Sequence, residues 1–209
     1  GVSLATVDRV LNNRKGVRES TIRRVTDAME QLNFVRDQTA ANLARGRSYT
    51  FTFIITAGEV TFFRDVRAEI EAVRRDAAKE RININVVAVP PLDPQAIVDA
   101  IDDLGDKIGD GLALVGVESQ IVRDAINRLQ AKGVQVVSFI SDLPNSGRDR
   151  FVGIDNVAAG RVAGSLLKRF IWAPSGDVVV VAGSGTLRDH VERRMGFEQV
   201  MRAECPHLN

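Results

Sequence analysis

The first twelve residues have the residue types and spacing of a helix that reads DNA. Gly1 permits a tight turn, and Ser3 is a good N-cap for the helix that follows. The second helix of a helix-turn-helix needs this arrangement, because its first turn enters the major groove. Apolar and basic side chains there face bases, while hydroxyl and amide side chains bond phosphates or base edges. The candidates are Ser3, Leu4, Ala5, Thr6, Arg9 and Asn12. On spacing alone, a plain surface helix of a small bundle remains an alternative.

Constellations that would support catalysis are weak. Gly183-Ser184-Gly185 lacks the third glycine of a dinucleotide-binding fingerprint, and no Gly-Lys-Ser/Thr follows it. Ser184 with Asp189 and His190 resembles a triad only in composition, because adjacent residues on one helix point in different directions. Two isolated histidines and the single Cys205 are too few for a convincing metal site. We therefore expect no catalytic residue, no metal and no cofactor, and a protein that is not an enzyme.

Composition and charge predict a globular protein with a basic head. Of 209 residues, 44% are hydrophobic, and the longest apolar runs are far shorter than the roughly 20 residues that cross a bilayer. Residues 1–49 hold nine Arg/Lys and five Asp/Glu, giving +4, and the remainder carries −3. A basic head on a mildly acidic body favours binding of a polyanion. No signal segment is visible, and one cysteine forms no internal disulfide, so we expect a cytoplasmic protein without membrane contact.

Hydrophobic periodicity predicts two helices in the head and alternating strands and helices in the body. The head helices follow Ser3 and Ser20, and two such helices bury little without a third, which indicates that the N-terminus is cut. In the body, helical patterns of ten or more residues separate short apolar runs, which predicts a parallel sheet covered on both faces. The predicted strands are Phe51–Ala57, Ile84–Val89, Leu112–Val117, Val134–Ile140, Val152–Ile154 and Val178–Ala182. The last unit has few strands, so we expect truncation at the C-terminus too.

Several motifs together resemble the LacI/GalR family of transcriptional repressors. The head motifs are Gly1–Asn12, then Val17–Val25 and Leu32-Asn33-Phe34-Val35, and Thr39–Ala44 is similar to the hinge helix of that family. Val152-Gly153-Ile154-Asp155-Asn156 with Ala159-Gly160 resembles its sugar-sensing core, which is itself similar to periplasmic sugar-binding proteins. The resemblance implies an α/β core of the periplasmic-binding-protein type behind a small all-α helix-turn-helix head.

The resemblance also implies roles for residues that contact DNA. Leu4, Ala5 and Arg9 match the base-reading positions, while Ala40 and Leu43 belong to the hinge helix that lies on the operator. Leu43 matches the leucine that wedges into the minor groove, where an apolar wedge unstacks a base step and bends the duplex. An ordinary packing residue is the alternative for Leu43. Ala5 is too small to hydrogen-bond a base, so it reads by methyl contact or exclusion.

For the effector, the resemblance implies a site formed by Phe62, Phe63, Glu118, Asp142 and Arg193. Aromatic rings stack on sugar rings, carboxylates accept from hydroxyls, and an arginine in the pattern Arg193-x-x-Gly-Phe donates several bonds. The alternatives are core phenylalanines, a turn aspartate and an exposed helix arginine. Glu118 stands where related binders often use Asn. Asp155 and Asn156 are expected to act as hinge and cap, with Asn156 able to N-cap the next helix.

The domains predicted are a head with its first helix missing (1–36), a hinge helix and linker (37–49), an N-terminal subdomain (50–153) and an incomplete C-terminal subdomain (154–209). The function implied is repression of a sugar-catabolism operon. A homodimer binds double-stranded operator DNA, and a small sugar or sugar derivative between two α/β subdomains controls that binding. The alternative is a sugar-binding protein without a role on DNA.

Overall fold

The computed structural model describes residues 1–11, 14–32, 34 and 47–209, which fall into two compact units, 1–46 and 47–209. The boundary between the units lies inside the predicted linker. Asn12, Ala40, Leu43 and the predicted hinge helix before Arg47 lie outside the described residues.

Two helices form the described part of the head: α1 (Leu4–Leu11) and α2 (Glu19–Gln31). The predicted cap of α1 is confirmed, because the Thr6 amide donates to Ser3 Oγ at 3.2 Å. The predicted cap of α2 is wrong. Arg18 occupies the N-cap position in an extended conformation, and its carbonyl already accepts from Thr21 and Ile22. The helix therefore begins before Ser20 can act as its cap.

The two head helices bury little between them. Val25 is the one buried hydrophobic residue in the described part of the head, at 4% exposure. A cavity of about 390 Å³ lies between α1 and α2. Its apolar lining is Val10, Leu11, Val17, Ile22 and Met29. This is the poor mutual burial that the sequence predicts for two such short helices.

The body contains a five-stranded parallel sheet in the order β2-β1-β3-β4-β5. Its elements are β1 (Tyr49–Thr56), α3 (Thr61–Ala77), β2 (Ile82–Val89), α4 (Pro94–Leu104), β3 (Gly111–Leu114), α5 (Gln120–Ala131), β4 (Gln135–Phe139), β5 (Arg150–Val152), α6 (Asn156–Phe170) and α7 (Arg188–Glu204). The predicted α/β class is confirmed. Asp93 caps α4, accepting from the amides of Gln95 and Ala96, with Pro94 at the first helical position.

Successive residues of β1 pack into two different cores, because side chains alternate across a strand. Ile54 belongs to the larger core, which α4 and α5 cover. Ile55 belongs to a smaller core with Ile70 of α3 and Ile84 of β2. Val73 of α3 is 58% exposed and lies outside this core. The sheet thus has helices on both faces, and this burial fixes the register of its strands.

Helices α6 and α7 pack against each other through glycines. A Cβ on Gly160 would lie 1.9 Å from the Arg193 carbonyl oxygen, and a Cβ on Gly196 would lie 2.0 Å from the Val157 carbonyl oxygen. No side chain fits in either place, so the two backbones approach as closely as glycine allows.

Three strand predictions need correction, and the first is Val152–Ile154, because the strand there is Arg150–Val152. The strand predicted over Leu112–Val117 is shorter in the structure. It runs from Gly111 to Leu114, because only these residues pair with the neighbouring strands. Val178–Ala182 forms no strand in the described structure. There the chain makes a single parallel bridge between Gly176 and Leu208, and Val179 and Val181 are 81% and 93% exposed. An apolar run becomes a strand only where a neighbouring strand supplies hydrogen-bond partners.

Candidate functional site

The exposed face of α1 carries most of the predicted base-reading residues. Leu4 is 88% exposed although it is apolar, and Ala5 and Arg9 are exposed beside it. In the part of the chain that the structure describes, the Arg9 guanidinium has no hydrogen-bond or ion-pair partner. A well-capped helix that offers an unburied leucine and a cation on one face presents a surface suited to a partner with bases and phosphates.

The two hydroxyl residues of this helix serve its first turn. Ser3 Oγ and Thr6 Oγ1 lie 2.9 Å apart and share a hydrogen bond, and Ser3 Oγ also accepts from the Thr6 amide. Each oxygen keeps lone pairs for a further contact. Nearby, Arg14 pairs with Asp8 at 3.3 Å.

Four of the five predicted effector residues follow strands at the carboxyl edge of the sheet, and the fifth, Arg193, lies on α7. β1, β3 and β4 are parallel neighbours, so the segments that follow them meet at one edge. Phe62 and Phe63 lie in the first turn of α3 rather than in a loop, with ring centroids 5.4 Å apart in an edge-to-face contact. Phe62 is 53% exposed and Phe63 is half-buried. Phe62 is therefore not a core residue, and its ring is open for stacking.

Arg67 of α3 fixes the turn that precedes these aromatics. Its Nη1 donates to the Thr56 carbonyl at 3.0 Å, and its Nη2 donates to the Gly58 carbonyl at 2.7 Å. Gly58 adopts φ +111°, a conformation that favours glycine. The arginine holds the end of β1 and the start of the turn together.

Glu118 follows β3 and is paired within the protein. It accepts from Arg123 Nη1, and the Glu118 side chain is 39% exposed against 19% for Arg123. Its carboxylate faces a cation on α5, so Arg123 occupies part of its capacity to accept hydrogen bonds.

Asp142 follows β4 and accepts four hydrogen bonds from the protein. Oδ1 accepts from Ser138 Oγ at 2.7 Å, from the Leu143 amide at 2.7 Å and from Arg148 Nε at 2.5 Å. Oδ2 accepts from Arg148 Nη2 at 2.7 Å. The carboxylate has capacity for about four bonds, so little remains for a ligand while Arg148 is in place.

The pKa values of this pair follow from its contacts. Burial raises the pKa of Asp142, but the hydrogen bonds from Arg148, Ser138 and Leu143 outweigh burial and leave that pKa below its usual value. The hydrogen bond to Asp142 raises the pKa of Arg148 above its ordinary value, against the opposing effect of burial. The pair is therefore ionised near neutral pH.

The turn between β4 and Asp142 is strained. Ser141 N–H donates to the Phe139 carbonyl at 2.8 Å, and the residue between them, Ile140, has φ +67°. A three-residue turn with positive φ at its centre is rare, and a β-branched residue there is unfavourable. The Ser141 hydroxyl is buried and has no hydrogen-bond partner among the described residues. Strain of this kind persists where surrounding contacts impose it, and it is concentrated at functional sites.

Arg193 lies on α7 and is bound by Asn156, the first residue of α6. Its Nη2 donates to Asn156 Oδ1 at 2.6 Å. The prediction that Asn156 caps α6 is wrong, because Asp155 is the N-cap and accepts from the Ala158 amide at 2.9 Å. Asn156 is 2% exposed, and its side chain points inward to the arginine.

A cavity of about 280 Å³ borders Arg193. Its other lining residues include Gly183, His190 and Phe197. His190 Nε2 lies 3.6 Å from Asp189 Oδ2, so these neighbours do approach, contrary to the expectation from their adjacency. Ser184 Oγ instead accepts from the amides of Thr186 and Leu187 before α7. The three do not form a connected triad. No cluster of metal-binding side chains occurs within the described ranges.

Sequence reasoning did not predict that Arg148 binds Asp142 or that Asn156 binds Arg193. Arg148 lies six positions after Asp142 in an irregular turn. A separation of six residues matches no sequence motif. Asn156 is predicted as a cap, but its neighbour Asp155 is an equally good cap, and periodicity does not say which of the two faces inward. In the described residues, no helix is long and apolar enough to cross a membrane.

Comparisons with known families match both units. Residues 51–209 match the periplasmic binding protein domain family, and residues 1–37 match the bacterial regulatory proteins of the lacI family. The probable transcriptional repressor ExuR of Bacillus subtilis is 27% identical over 202 residues, which cover 94% of this chain and 56% of ExuR. The repressor PurR of Actinobacillus pleuropneumoniae is 25% identical, covering 96% of this chain and 57% of PurR. The chain thus spans a little over half the length of these relatives.

Solved structures share the fold of the body. A solute-binding protein of an ABC transporter from Burkholderia graminis, in complex with D-arabinose, has a TM-score of 0.69 at 23% identity. It covers 78% of this chain, and the match takes in 54% of that protein. A putative LacI transcriptional regulator from Bacteroides fragilis also has a TM-score of 0.69, at 18% identity, with 78% and 58% covered.

Proposed function

Because the chain belongs to the periplasmic binding protein domain family and its head matches the lacI family of regulators, we propose that it is a sequence-specific transcriptional repressor controlled by a sugar-like effector. The observation that carries the proposal is the exposed face of α1. Leu4 is 88% exposed on a helix that Ser3 caps, next to the Arg9 guanidinium, which no described residue pairs. A binding protein without a DNA role has no use for such a head.

On DNA, α1 enters the major groove with its first turn leading. Leu4 and Ala5 contact base edges by their apolar surface, and Arg9 donates to a base or a phosphate. Ser3 and Thr6 sit at the helix N-terminus, where hydroxyls and backbone amides favour phosphate. A homodimer places two such helices in successive major grooves, with Ala40 and Leu43 on the minor groove between them.

The effector binds at the carboxyl edge of the sheet, between the two α/β parts of the body. Phe62 supplies an exposed ring for stacking, Glu118 and Asp142 supply acceptors, and Arg193 supplies donors. Mixed acceptors and donors beside an aromatic ring suit a sugar or a sugar derivative. Each predicted acceptor is already paired with an arginine, so the effector binds by sharing or exchanging those bonds.

Control follows from linkage between the two sites. A sugar that binds one arrangement of the body more tightly than another shifts the population, and DNA affinity changes by the same coupling free energy. The proposal includes a cytoplasmic location and no catalytic role. The relatives ExuR and PurR are repressors by name.

Fluorescence anisotropy of labelled promoter DNA from the gene's own operon tests this function. The full-length protein is titrated at two salt concentrations, with and without D-arabinose, D-fructose, D-glucose and D-galactose. We expect salt-sensitive binding that at least one sugar shifts. No DNA binding in any condition would contradict the proposal and favour a sugar-binding protein without a role on DNA.

A further inference from the structure

The Arg193 side chain is held from α6 at its guanidinium end. Nη2 donates to Asn156 Oδ1 at 2.6 Å, a short bond from a charged donor. Asn156 is itself 2% exposed and sits at the first position of α6. Its amide nitrogen faces the Ile154 carbonyl at 3.4 Å, which directs the amide oxygen toward the arginine. These two hydrogen bonds together fix the Asn156 amide with its oxygen toward the Arg193 guanidinium.

The Arg193 backbone is held from α6 as well. Gly160 lies one turn along α6 from Asn156, and a Cβ there would be 1.9 Å from the Arg193 carbonyl oxygen. This close approach places the Arg193 main chain against α6, while Asn156 fixes the end of the side chain. Helix α6 therefore positions both the main chain and the guanidinium of Arg193. This reduces the side-chain conformational entropy that Arg193 would lose when a ligand binds.

The remaining guanidinium donors are available. Arginine has five N–H donors, and the bond to Asn156 is the only one that Arg193 makes with residues the structure describes. Its neighbour Arg194 differs, since Arg194 pairs with Glu198 at 3.4 Å and its side chain is 53% exposed. The uncharged partner matters too: Asn156 orients the guanidinium without neutralising it, whereas a carboxylate would offset its charge.

We infer that Asn156 is a positioning residue that holds the Arg193 guanidinium in the orientation in which it binds the effector. The inference rests on the proposed function, because it takes the effector as the partner of the free donors. It assigns Asn156 a role in effector affinity in place of the helix capping predicted for it.

The orientation itself is tested without any effector. In the full-length protein labelled with ¹⁵N-arginine, slow rotation of the guanidinium Nη groups is measured by NMR, and Arg193→Lys identifies the Arg193 signal. We expect resolved Nη signals in the wild type, averaged signals in Asn156→Ala and resolved signals again in Asn156→Asp, which keeps the acceptor. Equal Arg193 signals in the wild type and Asn156→Ala would overturn the inference.

The consequence for binding is tested by the midpoint of the sugar response of DNA binding, using the four sugars named above. We expect Asn156→Ala to raise the midpoint about 10-fold, as loss of one charge-assisted hydrogen bond predicts, with effector-free DNA affinity unchanged. Asn156→Asp should restore the orientation seen by NMR but little of the affinity, because its carboxylate offsets the charge of Arg193. Arg202→Ala, which removes an exposed arginine of α7 that pairs with Glu198, is the control and should leave the midpoint unaltered.

The outcomes separate the two claims. If the wild type responds to none of the four sugars, the proposed sugar response fails, and the NMR comparison still decides whether Asn156 orients Arg193. If the wild type responds and Asn156→Ala responds with the same midpoint, the positioning role is overturned while the proposed function stands.

Discussion

Asp142 and Arg148 form a two-point ion pair, with Nε 2.5 Å from Oδ1 and Nη2 2.7 Å from Oδ2. The pair closes the loop that follows β4, and Ser138 and the Leu143 amide bond the same carboxylate. Planar, bidentate contacts of this kind are the strongest that arginine makes. The aspartate that the family resemblance predicts as a sugar acceptor thus anchors its own loop.

Removing this anchor should destabilise the body. Asp142→Asn retains size but loses the charge that Arg148 faces, and we expect the free energy of unfolding to fall by about 2 kcal/mol. Urea denaturation measures the change. Arg150→Lys is the matched control, because exposed Arg150 donates only to the Asp149 carbonyl among the described residues, and its effect should stay within about 0.5 kcal/mol. Equal stability of Asp142→Asn and wild type would show that the pair contributes nothing net.

The same pair predicts a pH dependence of known sign. The folded-state pKa of Asp142 lies below its unfolded value of about 3.9, so its contribution is complete above that value and is lost as pH falls through the folded pKa. The stability difference between wild type and Asp142→Asn should therefore be constant from about pH 5 to 7 and shrink below about pH 4. Urea titrations at each pH measure it. A difference that grows on acidification would contradict the lowered pKa.

The helix contact behind Arg193 is sensitive to a single methyl group. Gly160→Ala places Cβ where the Arg193 carbonyl oxygen lies 1.9 Å away, so α7 must shift. We expect about 1–3 kcal/mol of destabilisation from overpacking, despite the better helix propensity of alanine. Thermal or urea unfolding measures the loss. Gly185→Ala is the control, since a Cβ there meets nothing within 4 Å. Similar stability for both variants would contradict the close approach of the two helices.

The fold was largely predictable because burial and period determine it. Ile54 and Ile55 sit in different cores, as alternation along a buried strand requires. Val178–Ala182 was not predictable in the same way. Its composition favours a strand, but strand formation depends on a partner elsewhere in the chain, which local sequence does not reveal.

The candidate site was predictable only in part. Phe62 follows the end of a strand and Arg193 lies on a helix, as their motifs predict. Neither the spacing nor the charge pattern of the sequence reveals that Asp142 pairs with Arg148, or that Arg193 pairs with Asn156. Those partners depend on how a loop turns and on which of two adjacent polar residues faces inward. Long-range side-chain geometry decides both, and periodicity carries no information about it.

On the head, Arg9 should contribute to operator binding. Arg9→Ala should weaken binding of the gene's own promoter DNA by about 10-fold or more, as loss of a base or phosphate contact predicts. Anisotropy with specific and scrambled duplexes separates the two contacts, because loss of a base contact relaxes specificity and loss of a phosphate contact weakens both duplexes alike. The control is Arg23→Ala on α2, which also removes one positive charge, but from an arginine that is paired with Glu19. This control should weaken DNA binding less than Arg9→Ala. Unchanged affinity of Arg9→Ala would remove Arg9 from the interface.

The central claim is that sugar binding and DNA binding are coupled. Isothermal titration of the full-length protein with the sugar that shifts its DNA affinity, with and without saturating promoter DNA, measures that coupling from the sugar side. The account predicts that DNA changes the Kd of the sugar by the same factor by which the sugar changes the Kd of the DNA. A sugar Kd that is identical with and without bound DNA would contradict it.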